Sequence, residues 1–354
     1  MSLRDDVKEL ARSQGAQLVG MEGVEVYTDY LAQVGERLRE TGAGPQDYMV
    51  SDGASFFALL SDARNALPGA KTIIMLGVYA YDKIAATRNT RGELRGKTAR
   101  IYAYYPVVRQ ISRQIVALLQ SRGHRAIEGQ HVPLKFLADR TGLGVYGKNG
   151  ISQAERYGSY IALRDVITDV ELVPDVYERP ASPCEDCDRC LRACPTGALY
   201  APYKVNPKLC INPITRRMAF IEPETRSKMR NWVCGCDICQ EVCPANRGLV
   251  AREIDPRACF DSQHHSSHKH LDGLERSPDL IELLGESYPE ILRRNAAIAL
   301  ANIGKGRQEA LMALKLHVDT APAQLQGYFR WAVNVLEDKK SQAQLCSKPL
   351  KRDN

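Results

Sequence analysis

Cys184-Glu-Asp-Cys187-Asp-Arg-Cys190-Leu-Arg-Ala-Cys194-Pro195 is the stretch on which the reading of this 354-residue chain turns. Its C-x2-C-x2-C-x3-C-P spacing is that of two-cluster bacterial ferredoxins. There, three close thiolates hold three irons of one cubane and the fourth, before proline, ligates the other cluster. A second run follows, Cys236-Asp-Ile-Cys239-Gln-Glu-Val-Cys243-Pro244. Two such halves predict two [4Fe–4S] clusters, and so electron transfer. The second run lacks a first cysteine at the usual distance. Cys234 stands two positions before Cys236, too close to repeat the spacing, and Cys210 lies further upstream. The crossover rule assigns Cys184, Cys187, Cys190 and Cys243 to one cluster and Cys194, Cys210, Cys236 and Cys239 to the other, with Cys234 the rival to Cys210. Cys259 and Cys346 carry no motif and read as ordinary thiols.

Disulfides and zinc are the competing uses of so many cysteines. Disulfides need an oxidising compartment, and Met1-Ser-Leu-Arg-Asp-Asp is charged where a signal peptide is apolar. Zinc sites pair two C-x2-C knuckles, whereas each run here carries three cysteines in register and a Cys-Pro ending. Hydrophobic content of 44% and charged content of 25% fit a globular protein with real cores. No apolar run approaches the roughly 18 residues that cross a bilayer. A cytoplasmic location, no membrane partner and a monomer are therefore expected. The net charge of +6 permits a polyanionic partner without requiring one.

Around the cysteine runs the sequence divides into three regions. Residues 1–170 read as an α/β domain, with strand-like runs at 16–21, 71–79 and 160–170 and helical spacing at 27–41, 55–66 and 105–123. In the last of these Val107, Val108, Ile111, Ile115, Leu118 and Leu119 share one side. A proline-rich connector at 171–183 opens a ferredoxin-like two-cluster region, 171–262. Residues 263–354 read as a small all-α, HEAT-like C-terminal region, with helices near 292–304 and 324–336 and a basic, frayed tail from 339. The tract Gln263-His-His-Ser-Ser-His-Lys-His270 reads as a solvated loop rather than a metal site.

Gly142-Leu-Gly144-Val-Tyr-Gly147 matches the dinucleotide fingerprint by letter. However, the preceding 134–140 looks helical where that fingerprint needs a strand, and Asn149 stands where a P-loop needs Ser or Thr. These glycines are instead expected to let the backbone pass close to a flat or bulky cofactor.

The wider stretch Leu137-Ala-Asp-Arg-Thr-Gly142-Leu-Gly144-Val-Tyr-Gly147-Lys148-Asn149 resembles the A-x-x-A-G-[LI]-G-W-x-G-K-[NH] segment of epoxyqueuosine reductases. Tyr157-Gly158-Ser159, the lone Cys210 before the second run, and Arg294-Asn295-Ala-Ala-Ile-Ala-Leu-Ala-Asn302 are similar to further segments of that family. Specific resemblance covers residues 125–305, and Leu67-Pro-Gly-Ala-Lys-Thr-Ile-Ile matches more loosely. The resemblance implies a cobalamin-dependent iron–sulfur reductase, in which residues 1–170 would be a corrinoid-binding domain. Its reaction would reduce epoxyqueuosine to queuosine in tRNA by Co(I) attack on the epoxide. The cobalamin would be base-off, in keeping with the absence of D-x-H-x-x-G from this chain. The resemblance further implies an external low-potential electron donor. It places Lys148, Asn149, Ser152, Leu163 and Asn212 against the corrinoid.

A general acid must protonate the departing oxygen, and a carboxylic acid of raised pKa suits that task. Counting back without gaps from Gly142, the family's catalytic aspartate falls on Glu128, with His131 and Tyr102, Tyr104 or Tyr105 as rival donors. The extra methylene of glutamate would displace a proton donor by about 1 Å. Two departures flank this region. Ala99-Arg-Ile-Tyr102-Ala-Tyr104-Tyr105 replaces the family's R-Y-A-x-G-x-D-Y-H, and Asn212-Pro-Ile-Thr215 replaces its S-Y-L-T. They leave room for two other readings, a reductive dehalogenase-like corrinoid reductase of another electrophile and a non-catalytic corrinoid or electron carrier.

Overall fold

The computed structural model describes residues 2–44, 47, 53–82, 94–177, 181–252, 274, 277–303 and 306–338. The histidine-rich tract, Cys259, Cys346 and the basic tail lie outside the described residues. The chain groups into two compact units, each discontinuous. One comprises Met1–Lys83, Arg100–Cys210 and Asp237–Asp255; the other comprises Ile84–Ala99, Ile211–Cys236 and Pro256–Asn354.

In the first unit, two strands buried at every position, Thr72–Tyr79 and Ile161–Thr168, form the middle of a four-stranded sheet. Leu18–Gly23 flanks one side and Ala126–Gly129 the other, and every neighbouring pair is antiparallel. Thr72–Tyr79 is apolar almost throughout, as suits a strand covered on both faces, whereas Ile161–Thr168 carries Arg164 and Asp165 at its centre. Strand alternation sends Ile74, Leu76, Val78, Ala162 and Val166 into one apolar layer and Ile73, Met75, Leu163 and Ile167 into the other. The first layer is closed by helices Leu3–Ser13 and Tyr105–Ser121, the latter burying Val108, Ile111, Ile115 and Leu119. Each such side chain contributes about 1.5–3 kcal/mol on burial. The second layer is closed by helix Leu134–Arg140. This is the mixed α/β content that the sequence predicts.

Three local features depart from the expectation. Helix 55–66 is instead a helix Gly53–Leu60 and a separate turn Ala63–Asn65, because the Asp62 side chain accepts the Arg64 N–H and starts a new turn. Ala126–Gly129 is a strand where the sequence offers only four residues with a charge among them. The connector has no regular structure over 171–177, yet Asp175 within it accepts the Met21 N–H at 2.9 Å and pairs with Arg4 and Lys8.

The second unit pairs strand Lys97–Thr98 in parallel with Trp232–Cys234, and its other regular elements among the described residues are helices. Helix Glu290–Asn302 is buried from Ile291 to Ala301 and packs against Arg307–Val318 and Ala323–Glu337. Its polar residues serve backbone carbonyls. Arg294, fully buried, donates to the oxygens of Ile214 at 2.9 Å, Arg217 at 2.8 Å and Ala219 at 3.1 Å. Asn295 reaches Thr215 and Val233 at 2.7 and 2.8 Å, and Asn302 reaches Arg226 and Arg230 at 2.8 and 3.0 Å. Burial lowers the Arg294 guanidinium to about 10. Among the described residues no helix is long and apolar enough to cross a membrane.

Candidate iron–sulfur site

Both cysteine runs fold the same way, because proline ends each in the same manner. Cys190 rides on the short helix Arg189–Ala193, and Cys194 leaves it extended, at φ −68° and ψ 110°. Cys239 rides on Ile238–Glu241, and Cys243 leaves extended at φ −73° and ψ 125°, before the turn Pro244–Asn246. Proline cannot donate the next helical bond, so each Cys-Pro residue swings out of its own run. The two short helices pack on each other.

The thiols influence one another in groups that cross the runs. Burial pushes the Cys190 thiol up to about 11, and the neighbouring Cys184 and Cys243 add to the rise. Cys243 is raised by burial and by Cys184 and Cys187. Cys239 is raised well above an ordinary thiol, by burial first and then by Cys210, Asp237, Cys190 and Cys194. Thiolates crowded in a low dielectric resist ionisation until a cation offsets their charge, as iron does. The donor chemistry therefore fits iron–sulfur clusters. Cys236 is half-buried, and Cys234 is fully buried in the second unit's strand Trp232–Cys234.

A two-stranded hairpin, Val145–Tyr146 with Ser152–Gln153, meets the first group of sulfurs. It follows helix Leu134–Arg140 through Gly142, whose φ of +70° favours glycine. A helix before the glycines and a hairpin after them exclude the dinucleotide fingerprint on geometry as well. Two of the glycines that the sequence set beside a cofactor have a protein neighbour instead. A Cβ on Gly144 would fall 2.8 Å from the Gln153 carbonyl oxygen, and one on Gly147 would overlap Gln153 Nε2. Both make room for Gln153. The Gln153 carboxamide, 5% exposed, sets Nε2 at 3.9 Å from Cys184 Sγ and 3.8 Å from Cys243 Sγ. Lys148 adds a backbone N–H donated to Cys184 Sγ at 3.4 Å, while its Nζ donates to the Glu185 carbonyl. Sequence reasoning missed Gln153, since nothing in the spacing marks a glutamine that faces sulfur.

The remaining sequence-predicted residues are scattered. Asn149 and Ser152 share the hairpin with Lys148. Asn149 Oδ1 accepts the Ile151 N–H at 3.1 Å while its buried Nδ2 has no partner. Ser152 donates to the Lys135 carbonyl at 3.4 Å. Leu163 lies in the sheet's second apolar layer, and Asn212 sits in helix Ile211–Ile214 of the second unit. Glu128, on strand Ala126–Gly129, pairs with Arg164 and accepts from Ser112 at 3.3 Å. His131 takes the opposite face. Its backbone N–H donates to Asp165 Oδ2 at 3.2 Å, and its Nδ1 lies 3.4 Å from that oxygen without a hydrogen bond. Gly129 leaves space for this ring, because a Cβ there would overlap it. Tyr102 and Tyr104 are buried, and Tyr102 packs edge-on to Tyr105 at 5.8 Å.

Asp237 follows Cys236 in the chain and is 1% exposed. Its Oδ2 accepts from the Arg100 backbone N–H at 3.0 Å and from the Arg100 guanidinium at 3.1 Å. That guanidinium lies 5.1 Å from the rings of both Tyr81 and Tyr160.

Two runs with proline-turned ends, thiols grouped across them and donors aimed at sulfur define a two-cluster iron–sulfur protein. Residues 183–246 match the family described as a 4Fe-4S double cluster binding domain. The epoxyqueuosine reductase of Bacillus subtilis strain 168 is 30% identical over 296 residues, 77% of this chain and 73% of that protein. A solved Bacillus subtilis epoxyqueuosine reductase, with its catalytic aspartate loop swung out of the active site, superposes with a TM-score of 0.77 at 25% identity. That match covers 99% of this chain and 95% of the other. An epoxyqueuosine reductase solved with an epoxyqueuosine-modified tRNA-Tyr stem loop gives a TM-score of 0.76 at 25% identity, covering 97% and 96%. The chain belongs to the epoxyqueuosine reductase family and is an oxidoreductase.

Proposed function

We propose that this protein reduces epoxyqueuosine to queuosine in tRNA, with two [4Fe–4S] clusters and base-off cobalamin. The observation that carries this reading is the hairpin Val145–Gln153. It joins the residues that the resemblance sets against the corrinoid, Lys148, Asn149 and Ser152, to the sulfurs of Cys184 and Cys243. The unpartnered, buried Asn149 Nδ2 supports the fit, since an orphan donor costs about 1–3 kcal/mol and corrinoid rims carry amide oxygens that would accept from it. Lys148, Asn149, Ser152, Leu163 and Asn212 are the residues proposed to hold the corrinoid. When bound, the clusters supply single electrons and the corrinoid a cobalt centre reducible to a nucleophile.

The ligand assignment is one cluster on Cys184, Cys187, Cys190 and Cys243 and the other on Cys194, Cys210, Cys236 and Cys239. It draws support from the mutual influence of Cys190, Cys184 and Cys243, and from Cys210 as the foremost thiol acting on Cys239. In domain terms, we assign residues 1–170 to the corrinoid, 171–262 to the clusters and 263–354 to a HEAT-like helical region.

Removing an epoxide oxygen as water takes two electrons and two protons, so this chain must deliver a proton to that oxygen. Glu128 is the proposed acid. Its carboxyl pairs with Arg164, so reaching substrate requires that pair to open. A second reading of the donor is His131, favoured by its place beside fully buried Asp165, whose Oδ1 lacks a partner.

Anaerobic reconstitution with iron, sulfide and cobalamin, followed by EPR and turnover on epoxyqueuosine-containing tRNA, tests the function. A base-off Co(II) signal with queuosine formed is the expected result. The signal without queuosine would send the search to organohalides and other electrophiles. Failure to bind cobalamin would leave an electron carrier.

A further inference from the structure

We propose that Gln153 is a positioning residue that sets the reduction potential of the cluster held by Cys184, Cys187, Cys190 and Cys243. The role rests on the two-cluster reading proposed above, which an iron count tests separately. Three features converge on this side chain. It is 5% exposed, so its carboxamide faces sulfur without competing water. It spans two thiols drawn from different cysteine runs, Cys184 and Cys243, at 3.9 and 3.8 Å. The space its carboxamide occupies exists because Gly147 lacks a side chain, since a Cβ there would overlap Nε2, while Gly144 admits the Gln153 backbone carbonyl. Thiolates only accept hydrogen bonds, so the amide nitrogen and not its oxygen must face them.

The physical consequence has a definite sign. Reducing a cluster adds negative charge that spreads over its sulfurs. A donor aimed at those sulfurs stabilises the reduced state more than the oxidised one and raises the potential. Gln153 supplies that stabilisation to two sulfurs at once, and the Lys148 N–H supplements it at Cys184. The second group of thiols receives nothing from this side chain. Gln153 therefore separates the potentials of two clusters whose ligand sets are chemically identical. The hairpin that holds it also carries Lys148 and Asn149, so the same short segment would tune the cluster and contact the corrinoid.

EPR-monitored redox titration of the reconstituted full chain tests this, after an iron count. Unmodified protein holding fewer than about eight irons would fail the two-cluster reading, and the proposal with it, before any variant is compared. With that count met, Gln153→Met should keep its iron and lower one midpoint. The expected drop is about tenfold in the reduction equilibrium, about 59 mV for a one-electron couple, while the other midpoint stays in place. Gln153→Asn holds the carboxamide one methylene short of the sulfurs and should shift the same midpoint in the same direction. Two unchanged midpoints in an iron-replete variant would overturn the proposal, as would both midpoints moving together. If neither variant holds the iron of the unmodified protein, Gln153 serves cluster assembly and the proposal falls.

Discussion

Around Cys184 and Cys243 the neighbouring polar groups are donors, the Gln153 amide and the Lys148 N–H. Cys239 lies near a carboxylate, Asp237, which pairs with Arg100. Two groups of thiols, each drawn from both cysteine runs, thus differ in the polar groups beside them. The comparison teaches that ligand identity fixes what kind of cluster is held, while the side chains behind the ligands decide how readily it accepts an electron. A donor-lined group should sit at the higher potential of the two.

The largest expected effect breaks the comparison outright. Cys210→Ala should remove about half the bound iron, whereas Cys234→Ala should remove none; the reverse result in an iron and sulfide assay would exchange their roles. Next comes Arg100→Met, which strands the buried Asp237 carboxylate. Its expected cost is about 3–5 kcal/mol in chemical unfolding, and an unfolding curve matching the parent would dismiss the pair as a structural element. On the chemistry, Glu128→Gln should keep both clusters and cobalamin yet lose most queuosine formation, with His131→Gln as the paired control. Unaltered turnover in Glu128→Gln alongside a collapse in His131→Gln would move the acid to histidine. The smallest effect separates a side chain from its own backbone. Lys148→Ala should weaken cobalamin binding but leave the cluster midpoint within error, because the donor to Cys184 is the main-chain N–H.

Much of this was legible because the chemistry is local. The cysteine runs, the buried strands Thr72–Tyr79 and Ile161–Thr168 and the amphipathic helix Tyr105–Ser121 are each written in a short window of spacing and polarity. What escaped was set by distant pairs. Strand Ala126–Gly129 pairs with a segment that begins at Ile161, and its four residues carry no pattern of their own. Asp237 finds Arg100 across 137 positions, so neither residue reveals the other. The glycine-rich stretch shows the limit best. Its letters announced that something must come close, and the structure identifies that neighbour as Gln153. The Arg294–Asn302 segment, conspicuous as a family resemblance, works on carbonyls some 80 positions earlier.

That last arrangement carries a consequence for how the protein is made. All the proposed cluster cysteines have emerged once synthesis passes Cys243, but Arg294, Asn295 and Asn302 follow only later. These side chains fasten the backbone at Ile214, Thr215, Arg226 and Val233, within the segment that ends at Cys236. About 60 residues separate Cys243 from Asn302, roughly 3–12 s at a ribosomal pace of about 5–20 residues per second. Throughout that interval the thiols are complete in number while one of their supporting segments is still unfastened. Cells short of iron or exposed to oxygen would meet the nascent chain with its thiols already made, before helix Glu290–Asn302 has fastened that segment.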